Sequence, residues 1–580
     1  MSREWFIYPP HEQTDSLSAQ LGISRLAAQM LLNRGISEPG DATRFIDPRL
    51  SDLHPPEAIH GLTDAADRIV RAVRDQRKIV LYGDYDVDGI TGVAILWHCL
   101  VLAGAQPDYY VPHRLEEGYG LNTAAIESLA ADGAAMIISV DCGITAVEQA
   151  AAARRLGVEL IITDHHKPRT DDNGVVQLPD AAVVVHPGLG AQPVNPDLSG
   201  SGVALKLAWG VAQRLSNARR VSPEFREFLI TATGLAALGL VADVVPLTGE
   251  NRILALHGLR GLPHSKHPGI AALISSAGLT GQNLSAYDVG FRLGPRLNAI
   301  GRMGHARLAV ELLTRAAPDE AARIAQNLEQ HNRSRQTLER RILAGARDMV
   351  RERGLDGDGT RAIVLAAEGW HAGVIGIVAS RLVDEFHRPT VLIALANGDG
   401  QGSARSIRHF PLHDVLRECR DHLEAFGGHA MAAGLRLRQD QVEGFTEAFQ
   451  QRAAQRLTAA DLLPTLKLDA VADLPELVES LMRELAALEP HGAGNPGPRL
   501  ATPWLNLVGE PRVVGARGDH LQVTFEQNGA QRKAIAFGMA GQRDALCDAR
   551  RCRVAFRPIL NEWNGRRSVE MQVIDFKFPD

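Results

Sequence analysis

The sequence predicts an α/β protein. The expected order is a doubly wound parallel-sheet domain, a long connecting helix, a second α/β domain and a C-terminal OB-like β-barrel. Three observations predict it. Four short runs in the first third, KIVLYG, MIISV, ELIIT and AAVVV, are rich in Val, Ile and Leu without alternating polarity, as buried parallel strands are. Helical patterns separate those runs, which implies right-handed crossovers and a mostly parallel sheet. Past Leu463 the pattern changes to short alternating strands split by turn residues.

In order along the chain, residues up to about Pro55 read as a small polar-helical cap with one apolar helix, LAAQMLLNRGI. An amphipathic helix opens after Gly61, and the first strand begins at Lys78. ITGVAILWHCLVLAG and ITAVEQAAAARRLG are helices with glycine stops. GLAALGLVADVVPL is a buried helix that delivers Asp243 among apolar neighbours. From Asp319 to about Arg353 the pattern is helical for roughly 50 Å. Its middle, HNRSRQT, is polar on every side and is expected to be solvent-exposed. A second α/β unit then runs through RAIVLAAE, GVIGIVASRLVDEF, PTVLIALA, GQGSARSI and HDVLRECRDHL.

At 580 residues the chain is too long for one core, and 45% hydrophobic with 22% charged residues is ordinary for a soluble protein. A formal charge of −6 gives no global preference for nucleic acid while leaving local basic patches open. Cys99, Cys142, Cys419, Cys547 and Cys552 are scattered with no CxxC pair, which fits a reducing compartment and no thiolate zinc site. MSREWFIYPPHEQTD has no secretory h-region, and no stretch of about eighteen uncharged apolar residues is present, so a cytoplasmic protein is expected. No GxxxxGK[ST], GxGxxG after a strand or GxSxG occurs, which excludes P-loop, dinucleotide and serine-elbow chemistry.

Each of the four hydrophobic runs ends in carboxylates or histidines: DYDVDG, DCG, DHH and HP. In a doubly wound sheet those ends share one edge, outside the C-terminal ends of the strands, where ligands bind. Asp84, Asp86 and Asp88 alternate, so on extended chain they share a face, and three converging carboxylates cannot all stay ionised without a counter-charge. Asp141, Asp164, His165 and His166 join them. One Asp before a helix is as well explained by an N-cap, but a cap needs one carboxylate. Hard oxygen ligands with imidazoles suit Mn²⁺ or Mg²⁺, and the number of ligands points to two divalent metal ions, a common device for attack of water on a phosphodiester. His186 reads as a partner that supports a ligand from behind or, preferably, as a satisfied loop histidine.

DYDVDG, DCG, DHH and VADVVPL, in this order, resemble the DHH phosphoesterase superfamily, and more narrowly the RecJ family of single-strand-specific 5′→3′ exonucleases. HRLEEGYGL, SGSGVALKLAWG, GPRLNAIGRMG, WHAGVIGIVASRL, GSARS, FGGHAMAAG and EPHGAGNP extend the likeness over nearly the whole chain from about residue 50. The resemblance implies metal ligation by Asp84, Asp86, Asp88, Asp141, His165 and Asp243. His166 would lie beside the ions as a phosphate contact or proton carrier, and Asp164 would orient the histidines. It further implies substrate contacts from Arg114, Arg296, Asn298, Arg302, the Ser403–Ser406 turn with Arg405, and His429. His491 departs from the family, where an aromatic commonly stands in that segment, which reads here as a connector. The domains expected are 1–55 as an N-terminal cap, 56–305 as the DHH catalytic domain, 306–353 as the connecting helix, 354–458 as the DHH-associated α/β domain and 459–580 as the OB-like nucleic-acid-binding domain.

From Phe291 to Val310 there are four arginines and no acid, and the glycines and Pro295 of GPRLNAIGRMG predict a loop that carries them. The barrel's Arg550, Arg551, Arg553, Arg557, Arg566 and Arg567 lie near Phe525, Phe537, Phe556 and Trp563. Trp563, in a turn, is the stacking candidate for a single strand. A cleft between the two α/β lobes would admit a thin strand and exclude a duplex. The resemblance implies mononucleotide products, a role in DNA repair and recombination, a monomer, and cooperation with a single-strand-binding protein and a DNA helicase. Two other readings remain beside it: a DHH phosphodiesterase acting on oligoribonucleotides or cyclic dinucleotides, and a non-catalytic single-strand-binding replication scaffold.

Overall fold

The computed structural model describes residues 3–113, 117–118, 120–171, 174–218, 220–302, 306–357, 359–563 and 565–579. The chain forms two compact units, one of Met1–Phe6 with Gln330–Lys467 and one of Ile7–Glu329 with Leu468–Asp580.

In the larger unit five strands form a parallel sheet in the order Asp108–Tyr110, Ile79–Gly83, Met136–Val140, Glu159–Thr163, Val183–Val185. Ile79–Gly83 and Met136–Val140 are buried at every position, which is why their sequences do not alternate. From Ile79–Gly83 the chain builds outward to one side and then returns to build on the other. The gap between Ile79–Gly83 and Met136–Val140 is therefore the topological switch point, the place where such sheets bind ligands. Helices Val87–Leu102, Gly200–Leu215 and Pro223–Ala242 pack against one another beside it. Among the described residues, Pro223–Ala242 is the one helix long and apolar enough to cross a membrane by length and composition. Its Leu235, Ala236 and Leu238 are buried in this core, which accounts for that composition.

The C-terminal strands close into a barrel. Leu505–Val514, His520–Gln527 and Ala530–Ala536 pair in series, Ala530–Ala536 pairs in parallel with Arg566–Lys577, and Arg551–Trp563 closes the ring. Leu521, Val523 and Phe525 point inward between polar neighbours. The barrel core extends beyond its own strands. Leu17, Leu26, Met30 and Leu31, from helices Thr14–Leu21 and Arg25–Asn33, lie in one cluster with Leu474, Leu481, Phe525 and Phe556. Arg34 donates to Asn495 Oδ1 at 2.7 Å in the same seam.

The smaller unit holds a mixed sheet in the order Ala425–Gly428, Ala432–Arg438, Asp399–Arg405, Thr390–Ala396, Ile363–Glu368, with Ala372–Phe386 packed on it. Helix Pro318–Glu352 is continuous over 35 residues. Its middle is not polar and exposed all round, as the sequence suggested: Asn332 and Glu339 are buried. Arg335 lies between them, donating to Asn332 Oδ1 at 3.0 Å and Glu339 Oε2 at 2.8 Å.

Two further expectations are corrected. GPRLNAIGR is not a loop but helix Gly294–Arg302, entered through a π-helical turn at Val289–Leu293. Its glycines serve close approach rather than a turn, because a Cβ on Gly294 would stand 2.9 Å from the Val289 carbonyl oxygen and one on Gly301 2.6 Å from that of Tyr85. Pro295 sits in the first turn, where its missing N–H is not needed. GSAR is not a turn but the end of strand Asp399–Arg405, with Ser406 following.

Candidate metal centre

Asp84 follows its strand directly, and its N–H donates to the Val140 carbonyl at 3.2 Å, which pins the loop at the switch point. Asp86 is an N-cap: its Oδ1 accepts from Asp88 N at 2.9 Å and Gly89 N at 3.1 Å. The capping explanation is thus true of one oxygen, and the carboxylate still meets Asp84 and Asp141 in one cluster. Asp88, in the first turn of the helix, is buried, and its two oxygens accept from Gly200 N at 2.6 Å and Ser201 N at 3.0 Å. The SGSG segment is therefore a helix N-terminus that holds the Asp88 carboxylate in place. A Cβ on Gly200 would come within 2.5 Å of Asp141 Oδ1, and one on Gly239 within 2.3 Å of Asp88 Oδ1.

Asp141 follows its strand at φ +65°, a left-handed conformation costing roughly 1–2 kcal/mol outside glycine. Its N–H donates to the Thr163 carbonyl at 2.9 Å, so the strain is held by the neighbouring strand. Asp243 caps the C-terminus of Pro223–Ala242. His165 Nε2 is buried and makes no hydrogen bond, yet stands 3.1 Å from Asp141 Oδ1, 3.5 Å from Asp243 Oδ2 and 3.9 Å from Asp88 Oδ2.

Burial and mutual repulsion act together here. Burial, with the charges of Asp88 and Asp86, pushes Asp243 up to about 8. Burial and neighbouring carboxylates push Asp86 up, and Asp141 well up. Burial lowers His165. A buried imidazole nitrogen without a hydrogen bond, ringed by carboxylate oxygens that resist ionising together, is a donor set suited to a hard divalent cation. Three overlapping groups supply it: Asp84, Asp86 and Asp141; Asp88, His165 and Asp243; Asp141, His165 and His166.

Asp164 behaves differently. It is buried, and its Oδ1 accepts from His165 N at 2.7 Å, His166 N at 3.1 Å and His166 Nδ1 at 2.8 Å, while Oδ2 accepts from Ile144 N at 2.9 Å. Burial alone would raise this carboxyl, but those bonds, His166 foremost, hold it below its ordinary value. Burial alone would lower His166, but Asp164, Asp243 and Asp86 outweigh it and push it up to about 9. His186 is a satisfied loop histidine, its Nε2 2.8 Å from the His166 carbonyl oxygen and its Nδ1 accepting from Gly188 N at 3.0 Å.

The substrate-binding expectations fall in several places. Arg114 lies outside the described residues, as do the side chains of Arg302 and Trp563. Arg296 is on a helix, paired with Glu329 at 2.7 Å and donating to the Arg292 carbonyl; Asn298 is half-buried one turn from Arg302. In the smaller unit Arg405 donates to Ser403 Oγ at 3.1 Å, and a Cβ on Gly376 would stand 2.8 Å from that oxygen. Ser403 pairs across the sheet with Gly434, and Gly434 with Gly427, where added Cβ atoms would meet open space. The exposed His429 follows this bare backbone lane. Ser406 instead turns inward, buried, its hydroxyl donating to the Phe410 carbonyl. Of the barrel phenylalanines, Phe525 and Phe556 are core and Phe537 is exposed. Sequence reasoning missed the roles of Gly200, Ser201 and Gly239; the glycine spacing of SGSG hinted at the first two, and nothing local marked Gly239.

A switch-point cluster of five carboxylates and one imidazole, with a second imidazole held by a sixth carboxylate, defines a metal-dependent phosphoesterase of the DHH class. Family models match three segments: the DHH family N-terminal domain at residues 78–233, the DHHA1 domain at 359–455 and the RecJ OB domain at 468–575. The single-stranded-DNA-specific exonuclease RecJ of Bacillus subtilis is 37% identical over 571 residues, 98% of this chain and 70% of the relative. Thermus thermophilus RecJ solved with Mn²⁺ matches with a TM-score of 0.84 at 32% identity, covering all 100% of this chain and 80% of that one. The same protein solved with Mg²⁺ matches at 0.76 and 30% identity, covering 100% and 79%. The chain belongs to the RecJ family.

Proposed function

We propose that this chain hydrolyses single-stranded DNA from its 5′ end to mononucleotides, in DNA repair and recombination, with Mn²⁺ or Mg²⁺ as cofactor. The observation that carries the reading is the meeting of Asp84, Asp86, Asp88, Asp141, His165 and Asp243 at one sheet edge. These six would hold two divalent ions, which when bound supply Lewis-acid stabilisation and a water of lowered pKa. The chain's own residues do the positioning. Gly200 and Ser201 fix Asp88. Asp164 engages His166 Nδ1, so Nε2 is the ring nitrogen that turns to a phosphate oxygen, and at neutral pH it carries a proton. That proton is available to the leaving 3′-oxygen.

Arg114, Arg296, Asn298 and Arg302 are proposed as phosphate contacts, Ser403, Arg405 and His429 as the substrate face of the smaller unit, and Trp563 as a stacking residue of the barrel. The domain division at 55, 305, 353 and 458 is kept as a reading of the same kind. A monomer acting in the cytoplasm, supplied by a helicase and a single-strand-binding protein, completes it; five free cysteines support a reducing compartment. The test is a nuclease assay on 5′-labelled and 3′-labelled single strands with and without Mn²⁺. Mononucleotide release from the 5′ label alone, lost on chelation, is the expected result. Release from the 3′ end, or turnover under chelation, would overturn it.

A further inference from the structure

Asp84 and Asp86 are each held close to their own backbone: Asp84 N–H is bonded to the Val140 carbonyl, and Asp86 Oδ1 caps helix Val87–Leu102. Between them stands Tyr85, whose carbonyl oxygen lies against Gly301. A Cβ on Gly301 would stand 2.6 Å from that oxygen, nearer than non-bonded atoms approach. The atom it meets is backbone, so no change of rotamer relieves the clash.

Helix Gly294–Arg302 brings that glycine to the loop, and the helix is braced on two faces. Gly294 and Gly301 lie about two turns apart and so share one face. On that face a Cβ at Gly294 would stand 3.6 Å from Ala242 Cβ, beside Asp243, so the helix reaches both ligand-bearing segments. Arg296 falls roughly 200° round the helix from Gly294, on the opposite face. Its Nη2 is 2.7 Å from Glu329 Oε2 on helix Pro318–Glu352, and its Nη1 donates to the Arg292 carbonyl at 2.5 Å. The pair is largely buried, with side chains 12% and 17% exposed. An ion pair so placed adds little stability over an apolar one. What it fixes is where the helix sits. The five N–H groups of a guanidinium allow this brace and a phosphate contact together.

We propose that helix Gly294–Arg302 is a spacer between helix Pro318–Glu352 and the metal centre, with Gly301 as a positioning residue. By admitting the Tyr85 carbonyl, Gly301 sets the bend that turns the Asp84 and Asp86 carboxylates, with Asp141, onto one divalent ion. Glu329 holds the spacer from behind through Arg296. The inference rests on the metal-centre reading and deepens it: affinity for the ion depends on a residue that offers it no ligand.

The test reads Mn²⁺ binding directly, by the loss of the free ion's paramagnetic resonance signal, alongside the single-strand assay. Gly301→Ala should fold in chelator as the wild type does and bind Mn²⁺ about tenfold to a hundredfold more weakly. Its kcat at saturating Mn²⁺ should fall far less. Adding Glu329→Ala lets the spacer withdraw, so the double variant should recover most of the lost affinity, whereas two independent injuries would add. Gly345→Ala, in a helix where a Cβ meets open space, should leave the affinity unchanged. Wild-type affinity in Gly301→Ala, an equal loss in Gly345→Ala, losses that add in the double variant, or a Gly301→Ala chain unfolded in chelator would each overturn the spacer. A wild type that binds no Mn²⁺ overturns the metal reading beneath it. One that binds Mn²⁺ but cuts no single strand overturns the exonuclease reading and leaves the spacer standing.

Discussion

Two buried ionic clusters lie in the same unit and resolve their charge in opposite ways. Lys206 and Glu250 pair with each other deep in the helical layer, and the partners' remaining capacity is taken up: Lys206 also donates to the His54 carbonyl, and Glu250 accepts from His54 N at 2.8 Å and Asn195 Nδ2 at 3.3 Å. At the switch point five carboxylates stand around two imidazoles, His165 and His166, and burial with mutual repulsion raises Asp86, Asp141 and Asp243. A cluster that closes on itself holds the fold together. One left with surplus negative charge is built for something added from outside, and costs stability until it arrives.

The contrast can be broken most severely at the metal centre. Asp86→Asn and Asp243→Asn should each lower kcat by about a thousandfold or more, read in the single-strand assay, and should remove the rise in melting temperature that Mn²⁺ gives the wild type. Neither should destabilise the chelated protein; a large loss of stability there would mean that these acids are structural. Next in size, Lys206→Met should cost about 3–5 kcal/mol in urea titration by stranding Glu250, while activity per folded molecule persists. A cost near zero would place the two clusters in one class.

The pH dependence sharpens the same distinction. Asp243 is raised from 3.8 to about 8 by folding, so between those values the folded state holds more protons than the unfolded one. The chelated protein should therefore lose stability as pH rises through that window. Saturating Mn²⁺ should flatten or reverse the slope, and thermal melts with and without chelator across it decide the matter. The smallest effect separates the two duties of Asp86. Asn caps as well as Asp, so Asp86→Ala should be less stable than Asp86→Asn by about 1 kcal/mol, with both inactive.

The centre was legible because parallel strands deliver their ends to one edge, and each end is written contiguously: DYDVDG, DCG and DHH need no knowledge of distant contacts. What escaped was non-local. Nothing near Asp88 announces that Gly200 and Ser201 will hold it. Gly294, Pro295 and Gly301 read as loop formers because the backbones they approach, Val289 and Tyr85, are not visible in local spacing. The four arginines read as unopposed because the acid that pairs Arg296, Glu329, stands on another helix. An amphipathic helix at Arg25–Asn33 declares an apolar face but not its partner, which lies at the other end of the chain.

That last partnership constrains how the protein is made. Leu31 emerges from the ribosome about 500 residues before Phe525, a member of the same hydrophobic core. At 5–20 residues per second the amino-terminal helices wait about 25–100 s with bare apolar flanks. Truncation past Lys467 would therefore leave those flanks without cover, and the shortened chain should aggregate on synthesis.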